Sequence, residues 1–236
     1  MWWRLFACVA VLSLTLPVMA QQSQMEEYLN TGSDPERVQK LLSLGAKRES
    51  AELTSGDQVK WRAIRSDSPQ KMALLFMPCG SLYASFLDLL KNTGQGWRVV
   101  DEVGFDCHYD NSVSFEVASL RRPSVDDVLV HHECEEHGTG YVKQNLNVFV
   151  IVSSRFKLVL NTEEIVRKSG WPGGGELDQQ SLFATMPTIG AGSGAIEETR
   201  NIKENGNLTV EKRDFRWSKI RFRLVPSKFI KVKQPA

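Results

Sequence analysis

The sequence is short of the residues and spacings on which many common activities depend. It has four cysteines in 236 residues, too few for a small fold built on disulfides. Neither Cys-x-x-Cys nor His-Glu-x-x-His occurs, so two specific metal-binding spacings are missing. A serine hydrolase or a phosphate site would need a strand before the glycine-rich stretch 190–195 and a helix after it, and we expect neither.

An excess of charge of one sign is also lacking. Lys and Arg number 29 against 28 Asp and Glu, which gives no electrostatic ground for nucleic acid as a partner. After residue 20 no apolar run reaches the roughly 20 residues that span a bilayer. We therefore expect no transmembrane segment in the mature chain, and no sequence feature calls for a cofactor.

The N-terminus has the pattern of a secretory signal peptide. Arg4 precedes an apolar run over residues 5–18, and Val18-Met19-Ala20 supplies small residues around a cleavage position. Cys8 does not fit a lipoprotein, because almost no apolar run precedes it. We predict a signal peptide over residues 1–20, a mature chain from Gln21, and export to the periplasm or the extracellular space.

One helix is predicted near residues 34–44. Ser33 or Asp34 can cap it, Pro35 fits its first turn, and Gly45 can end it. The stretch resembles the second helix of an ankyrin repeat, but no second copy follows and a lone repeat cannot bury its own face. We expect a helix docked on the rest of the chain, within a helical N-terminal segment over residues 21–56.

From residue 57 the apolar residues alternate with polar ones or form short runs, as in strands. We predict eight strands, at 59–65, 72–77, 84–90, 97–103, 113–120, 127–132, 147–152 and 156–161. Trp61 aligns with Phe115 and Pro69 with Pro123, an offset of 54 residues. The predicted fold is mainly β: an antiparallel meander of two roughly 50-residue four-stranded units, open or sandwiched, over residues 57–168.

The C-terminal part adds strands and positive charge. Residues 169–194 are rich in Gly and Pro and predict a loop or linker. Strands predicted at 195–202, 207–213 and 219–225 form a third unit over residues 195–236, packed on the same domain. Residues 211–236 hold nine Lys or Arg against two acidic residues. These cations either protect an edge strand from aggregation or contact an anionic envelope surface.

A cluster of histidines supplies the candidate metal ligands. No recognised zinc-ligand spacing is present, an exported thiol is more often oxidised or buried than metal-bound, and the internal alignment makes residues 127–132 an ordinary strand, which together favour a strand end over a zinc site. Hairpin pairing brings the candidate disulfide partners, Cys107 and Cys134, to the same end and leaves Cys79 free. A thiol nucleophile at Cys134 would need a histidine from a distant part of the chain. The candidate metal ligands are His108, His131, His132 and His137.

One aromatic residue is a candidate ligand platform. Trp171 lies in Gly-Trp-Pro-Gly, inside the predicted loop; the alternative is that it covers the edge of a core. No catalytic motif accompanies it. The sequence therefore favours an exported, soluble β-rich protein that acts as a non-enzymatic binding or envelope-associated module. The alternative is a metal-dependent hydrolase built on the histidine cluster.

Overall fold

The computed structural model describes most of the chain from residue 24 onward. The described residues are 24–47, 51–52, 58–78, 84–106, 113–136, 141–168, 176–186, 195–204, 206–218, 221 and 223–232, with the backbone alone at 106, 134–136, 185–186 and 195. Among them, strands dominate and form two antiparallel sheets after a short helical segment. The predicted fold class is confirmed.

Two helices precede the sheets. Residues 24–30 form α1, and α2 spans Asp34–Ser43. The carboxylate of Glu36 accepts the Ser33 N–H at 2.7 Å and lies 3.0 Å from the Ser33 hydroxyl, which closes a capping box and holds the pKa of Glu36 below its ordinary value. Gly45, at φ +91°, takes the left-handed conformation that ends the helix.

Sheet 1 contains four strands in chain order, each antiparallel to the next. Trp61 of the first strand and Trp97 of the last pack edge to face, with ring centroids 4.9 Å apart. The strands are β1 (Lys60–Ile64), β2 (Met72–Met77), β3 (Ala84–Asn92) and β4 (Trp97–Asp106).

Sheet 2 contains the remaining nine strands. Eight pair with their neighbours in chain order, and the last, short strand pairs with β11. The first four, like those of sheet 1, form a four-stranded meander, which matches the predicted unit; the internal repeat itself stays a prediction. The strands are β5 (Val113–Arg122), β6 (Val125–Glu136), β7 (Tyr141–Val152), β8 (Arg155–Lys168), β9 (Leu177–Met186), β10 (Ala195–Glu204), β11 (Asn207–Ser218), β12 (Arg223–Pro226) and β13 (Ile230–Lys231).

Three apolar clusters hold these layers together. The helix-side core joins α1 and α2 to the outer face of sheet 1, through residues such as Leu41 and Leu75. The inter-sheet core joins the inner face of sheet 1 to β5–β8, through residues such as Leu74 and Val130. The concave core lies on the other face of sheet 2, where Leu146, Ile196, Phe215 and Leu224 meet. Sheet 2 therefore curls so that β10–β12 cover part of β5–β8.

The prediction of a loop over residues 169–194 is wrong for residues 177–186, which form β9. The sequence pattern failed because the buried positions of this strand are polar: Gln179 and Ser181 point inward, whereas Leu182 is 56% exposed. A strand thus precedes the stretch 190–195, but β10 follows it instead of a helix. The C-terminal strand predicted at 219–225 is described from Arg223, as β12.

The β5–β6 hairpin forms as predicted, with a different register. Val113 pairs with His132 and Arg122 with Val125, so only Pro123 and Ser124 form the turn. The expected register placed Val113 opposite Cys134, two residues further along β6. The difference arises because the pairing shifts between Ala118 and Arg122, where the buried Asp127 carboxylate accepts backbone N–H groups of β5.

Candidate functional site

The two described histidines of the cluster lie on opposite faces of β6. His131 points to the concave side of sheet 2, and His132 points toward sheet 1, where its ring lies 5.6 Å from that of Phe105. They cannot ligate one ion from these positions, as strand alternation predicts. In the part of the chain that the structure describes, no group of three or more His, Cys, Asp or Glu could hold a metal ion.

The remaining candidate residues cannot be placed. His108, His137, Cys107, Cys79 and Trp171 lie outside the described residues, and Cys134 is described by its backbone alone. The metal site, the Cys107–Cys134 disulfide and the Trp171 platform therefore stay predictions.

His131 lies between two carboxylates, one on β8 that contacts it directly and one on the neighbouring β5. Its Nδ1 lies 2.7 Å from Oε2 of Glu164 and its Nε2 lies 3.9 Å from Oε1 of Glu116. Gln144 donates to the same Glu164 oxygen at 2.8 Å. The hydrogen bond to Glu164 raises the pKa of His131 above its ordinary value, against the opposing effect of burial.

A second polar cluster is buried between β9, β10 and β11. The carboxylate of Glu198, which is fully buried, accepts hydrogen bonds from Ser181 at 2.7 Å and from Arg213 Nε at 2.5 Å. Arg200 contacts it at 2.9 Å. One buried carboxylate thus pairs with two arginines. The cluster of three side chains carries a net charge of +1 and is largely shielded from solvent.

These two arginines also hold the C-terminal segment. Their guanidinium groups stack on Phe229, at 4.3 Å for Arg200 and 4.2 Å for Arg213. Phe229 directly precedes β13, so the stacking fixes this short strand on β11. The cluster around Glu198 therefore positions the exposed residues that follow Phe229 in the chain.

The outer surface of the β11–β13 region is basic. Along β11, Phe215 is buried in the concave core and Trp217 packs against it, so Asp214 and Arg216 face outward. Arg221, Arg223, Lys228 and Lys231 are exposed, and Arg216 is 77% exposed. We name the set Arg216, Arg221, Arg223 and Lys228 the basic face. Lys231 is not part of it, because it pairs with Glu211 and therefore lies on the side of Arg213.

A shallow groove runs along the basic face. Its volume is about 550 Å³, and Asp214, Arg216, Trp217, Arg221 and Ser227 are among the residues that line it. Ser227 fixes one wall, because its hydroxyl accepts the Asp214 N–H at 3.0 Å. Only Asp214, 3.5 Å from Arg216, brings a carboxylate to the groove lining.

Sequence reasoning found the basic strands but missed the groove. The signal in the sequence was the excess of cations after residue 210. What it could not show is that Trp217 and Arg216, neighbours on one strand, both border a cavity formed with Arg221 and β12.

Comparisons of the chain with protein-family models, with curated proteins and with solved structures find no match. None of the described helices has the length and apolar character needed to cross a membrane.

Proposed function

We propose that the protein is an exported, non-enzymatic binding module that docks on an anionic phospholipid surface through the basic face. The observation that carries the proposal is that Arg216 and Arg221 line one groove in which Asp214 is the single carboxylate among the described lining residues, with the exposed Arg223 beside it on β12.

The positive charge of the basic face comes from arginines that have few carboxylates near them. The neighbouring cations Lys212 and Arg213 are paired with Glu197 and Glu198, so they belong to the sheet. Arg221 and Arg223 have no ion pair among the described residues. Each basic residue close to an anionic bilayer stabilises binding by about 1 kcal/mol. Arg221 and Arg223, together with Arg216, whose one ion pair with Asp214 is long and exposed, are therefore enough for reversible adsorption.

Apolar residues beside the cations suit the interface between lipid headgroups and acyl chains. Ile230 is 71% exposed and Val232 39% exposed, and the exposed Lys228 lies two residues before Ile230. An exposed branched aliphatic residue near a lysine gains from insertion among headgroups while the ammonium group stays at the phosphates.

The surface is also rigid. Leu224 anchors β12 in the concave core, and Phe229 is held between two arginines. Binding therefore costs little conformational entropy beyond the long side chains themselves.

Co-sedimentation with vesicles tests the proposal. Residues 21–236 should bind vesicles that contain phosphatidylglycerol. They should bind neither vesicles of phosphatidylcholine alone nor beads that carry an anionic polysaccharide. Replacing Arg216, Arg221 and Arg223 by glutamine should weaken the binding about a hundredfold at low salt, because roughly 3 kcal/mol of attraction is lost. Added salt should weaken wild-type binding in the same way.

A matched variant removes the same charge elsewhere. Lys60, Arg62 and Lys71 are exposed on or beside sheet 1, and their replacement by glutamine should leave vesicle binding nearly unchanged. Equal losses in both triple variants would show a response to net charge alone. Retention on the polysaccharide in place of the vesicles would contradict the choice of lipid.

Export is tested separately. If residues 1–20 are a signal peptide, the full chain expressed in a bacterium should reach the periplasm or medium with Gln21 as its first residue. N-terminal sequencing checks this, and a cytosolic product that begins at Met1 would contradict it.

A further inference from the structure

The most exposed apolar side chains of the described residues lie together on one face of sheet 2. Ile230 is 71% exposed, Leu182 56% and Leu208 54%, and no other large apolar side chain in the part of the chain that the structure describes is as exposed. Single exposed apolar residues are normal, but a group of them on one face marks a contact surface.

Strand register puts these residues on the same side of the sheet. Four residues, each directly opposite the next, form one row across β9, β10, β11 and β13: Leu182, Thr199, Lys212 and Ile230. Residues directly opposite each other in antiparallel strands point to the same side. Leu208 shares that side, because it lies four residues before Lys212 on β11. We name this side of β9–β13 the outer face.

The other side of the same strands is the buried one. Ser181, Glu198 and Phe215 point to it and are buried, whereas the exposed apolar residues of the outer face belong to none of the three apolar cores. An antiparallel sheet with one buried face normally carries polar residues on the other. The large apolar side chains of the outer face therefore indicate a binding surface.

The outer face is continuous with the basic face. Arg216 lies on the same side of β11 as Lys212, and its partner on β12 is Val225, two residues after Arg223. Arg216 and Arg223 therefore belong to the outer face as well. The rise of about 3.3 Å per residue places Arg216 about 13 Å from Lys212 along β11. One surface thus carries cations at one end and large apolar side chains beside them.

The charges of the outer face favour an anionic partner. Its carboxylates are paired with cations: Glu197 with Lys212, Asp214 with Arg216 and Asp178 with Arg167. Lys203, directly opposite Leu208, and Arg223 are exposed and have no ion pair among the described residues. A second copy of the chain would bring the same cations together, so like charges oppose self-association through this face.

We propose that the protein lies flat on an anionic bilayer, with the outer face of β9–β13 against the lipid and Leu182, Leu208 and Ile230 inserted among the headgroups. The inference rests on the proposed function and adds to it the face that binds and two residues, Leu182 and Leu208, outside the basic face. Apolar side chains gain by leaving water while neighbouring lysines and arginines stay at the phosphates. The alternative is docking by the edge formed by β12 and its connection to β11, which leaves Leu182 in water.

Co-sedimentation of two double variants tests this orientation. Leu182→Gln with Leu208→Gln should weaken the binding of residues 21–236 to phosphatidylglycerol vesicles at least about tenfold, because two apolar side chains no longer leave water on binding. Tyr28→Gln with Val100→Gln changes two exposed side chains outside sheet 2 and should leave binding nearly unchanged. Wild-type binding by the leucine variant, or an equal loss in both variants, overturns the proposal.

Salt separates insertion from electrostatic attraction. The leucine variant loses no charge, so added salt should weaken its binding as steeply as that of the wild type, whereas the glutamine variant of Arg216, Arg221 and Arg223 should lose most of this dependence. A wild type that does not bind the vesicles contradicts the proposed function and this inference together. Vesicle binding that the leucine variant retains in full contradicts this inference alone.

Fluorescence quenching reports the contact directly. Leu182→Trp should gain emission that brominated phosphatidylglycerol quenches, and the emission gained by Tyr28→Trp should not be quenched. Quenching in Tyr28→Trp alone would place the helices on the lipid and overturn the proposal. A wild-type dimer in solution that the leucine variant converts to a monomer would assign the outer face to a second copy and would overturn it as well.

Discussion

At the scale of single residues, the most unusual group is the carboxyl of Asp88. It is fully buried in sheet 1, and a hydrogen bond with the Glu102 side chain favours its protonated form. Glu102 lies directly opposite on β4, held by Lys47 at 2.7 Å. Burial, followed by the charge of Glu102, raises the pKa of Asp88 to about 8. At neutral pH this side chain is therefore mostly a neutral acid.

The stability of the fold should fall as the pH rises because of Asp88. Its pKa is raised relative to the unfolded chain, so its contribution is fully present below about pH 4 and is lost as pH rises through about 8. Asp88→Asn, which stays neutral, should be more stable than wild type at pH 9 by at least about 1 kcal/mol, and close to it at pH 5. Urea unfolding at both pH values measures the difference.

The exposed Asp178 provides the control for Asp88. Its side chain is 58% exposed and faces Arg167 across the strand pair. Asp178→Asn should alter stability by less than about 1 kcal/mol at either pH. An Asp88→Asn protein less stable than wild type at pH 9 would show that the buried acid is not neutral.

His131 should titrate above its ordinary range. Glu164→Gln removes the carboxylate that contributes most to raising the pKa of His131, so this pKa should fall, because burial still lowers it. The stability that His131 gives is present below pH 6.5 and is lost as pH rises through its folded pKa. An NMR titration of the imidazole signals measures both proteins.

Glu163 is the neighbouring control for this titration. It pairs with Lys143 at 3.1 Å and makes no contact with His131 that the structure describes. Glu163→Gln should leave the titration of His131 where it is. If both variants shifted it equally, the general charge of β8 and not the hydrogen bond would be the cause.

At the scale of elements, alternation of apolar residues predicted every strand from β1 to β8. Strands such as β2 and β7 bury Leu74 or Val148, and their composition alone marks them as strands. Strand β9 was not predicted because its buried side chains, Gln179 and Ser181, are polar, and Ser181 hydrogen-bonds the buried Glu198. A buried polar network is invisible to a pattern based on hydrophobicity.

Glu198 should therefore hold β9, β10 and β11 together. Glu198→Ala leaves Arg200 and Arg213 facing each other without their shared carboxylate, which should cost about 3–5 kcal/mol. Glu197→Ala, one residue away on the outer face, removes only a partly exposed pair with Lys212 and should cost about 1 kcal/mol or less. Urea unfolding of both variants measures the two losses, and equal losses would contradict a special role for the buried carboxylate.

At the scale of the whole molecule, the sequence predicted units of four strands but not how they join. The strands of sheet 1 end at β4, whereas β5–β8 continue into β9 through the pairing of Ile165 with Gln180. Which strand edges pair depends on contacts between distant parts of the chain. The local alternation of apolar residues does not encode these contacts. The groove on the basic face was missed for the same reason, since residues of β11, β12 and their connection line it together.

The two sheets should unfold as one unit, because the inter-sheet core belongs to both. Leu74 and Leu89 of sheet 1 share it with Val128 and Val130 of sheet 2, and all four are fully buried. Leu74→Ala should cost about 2–5 kcal/mol and should destabilise β6 and β7 as much as β2 and β3. Hydrogen exchange in increasing urea, followed by mass spectrometry of peptides from each sheet, measures both. Peptides of sheet 2 that keep their wild-type midpoint in Leu74→Ala, while those of sheet 1 move, would mean two independent units.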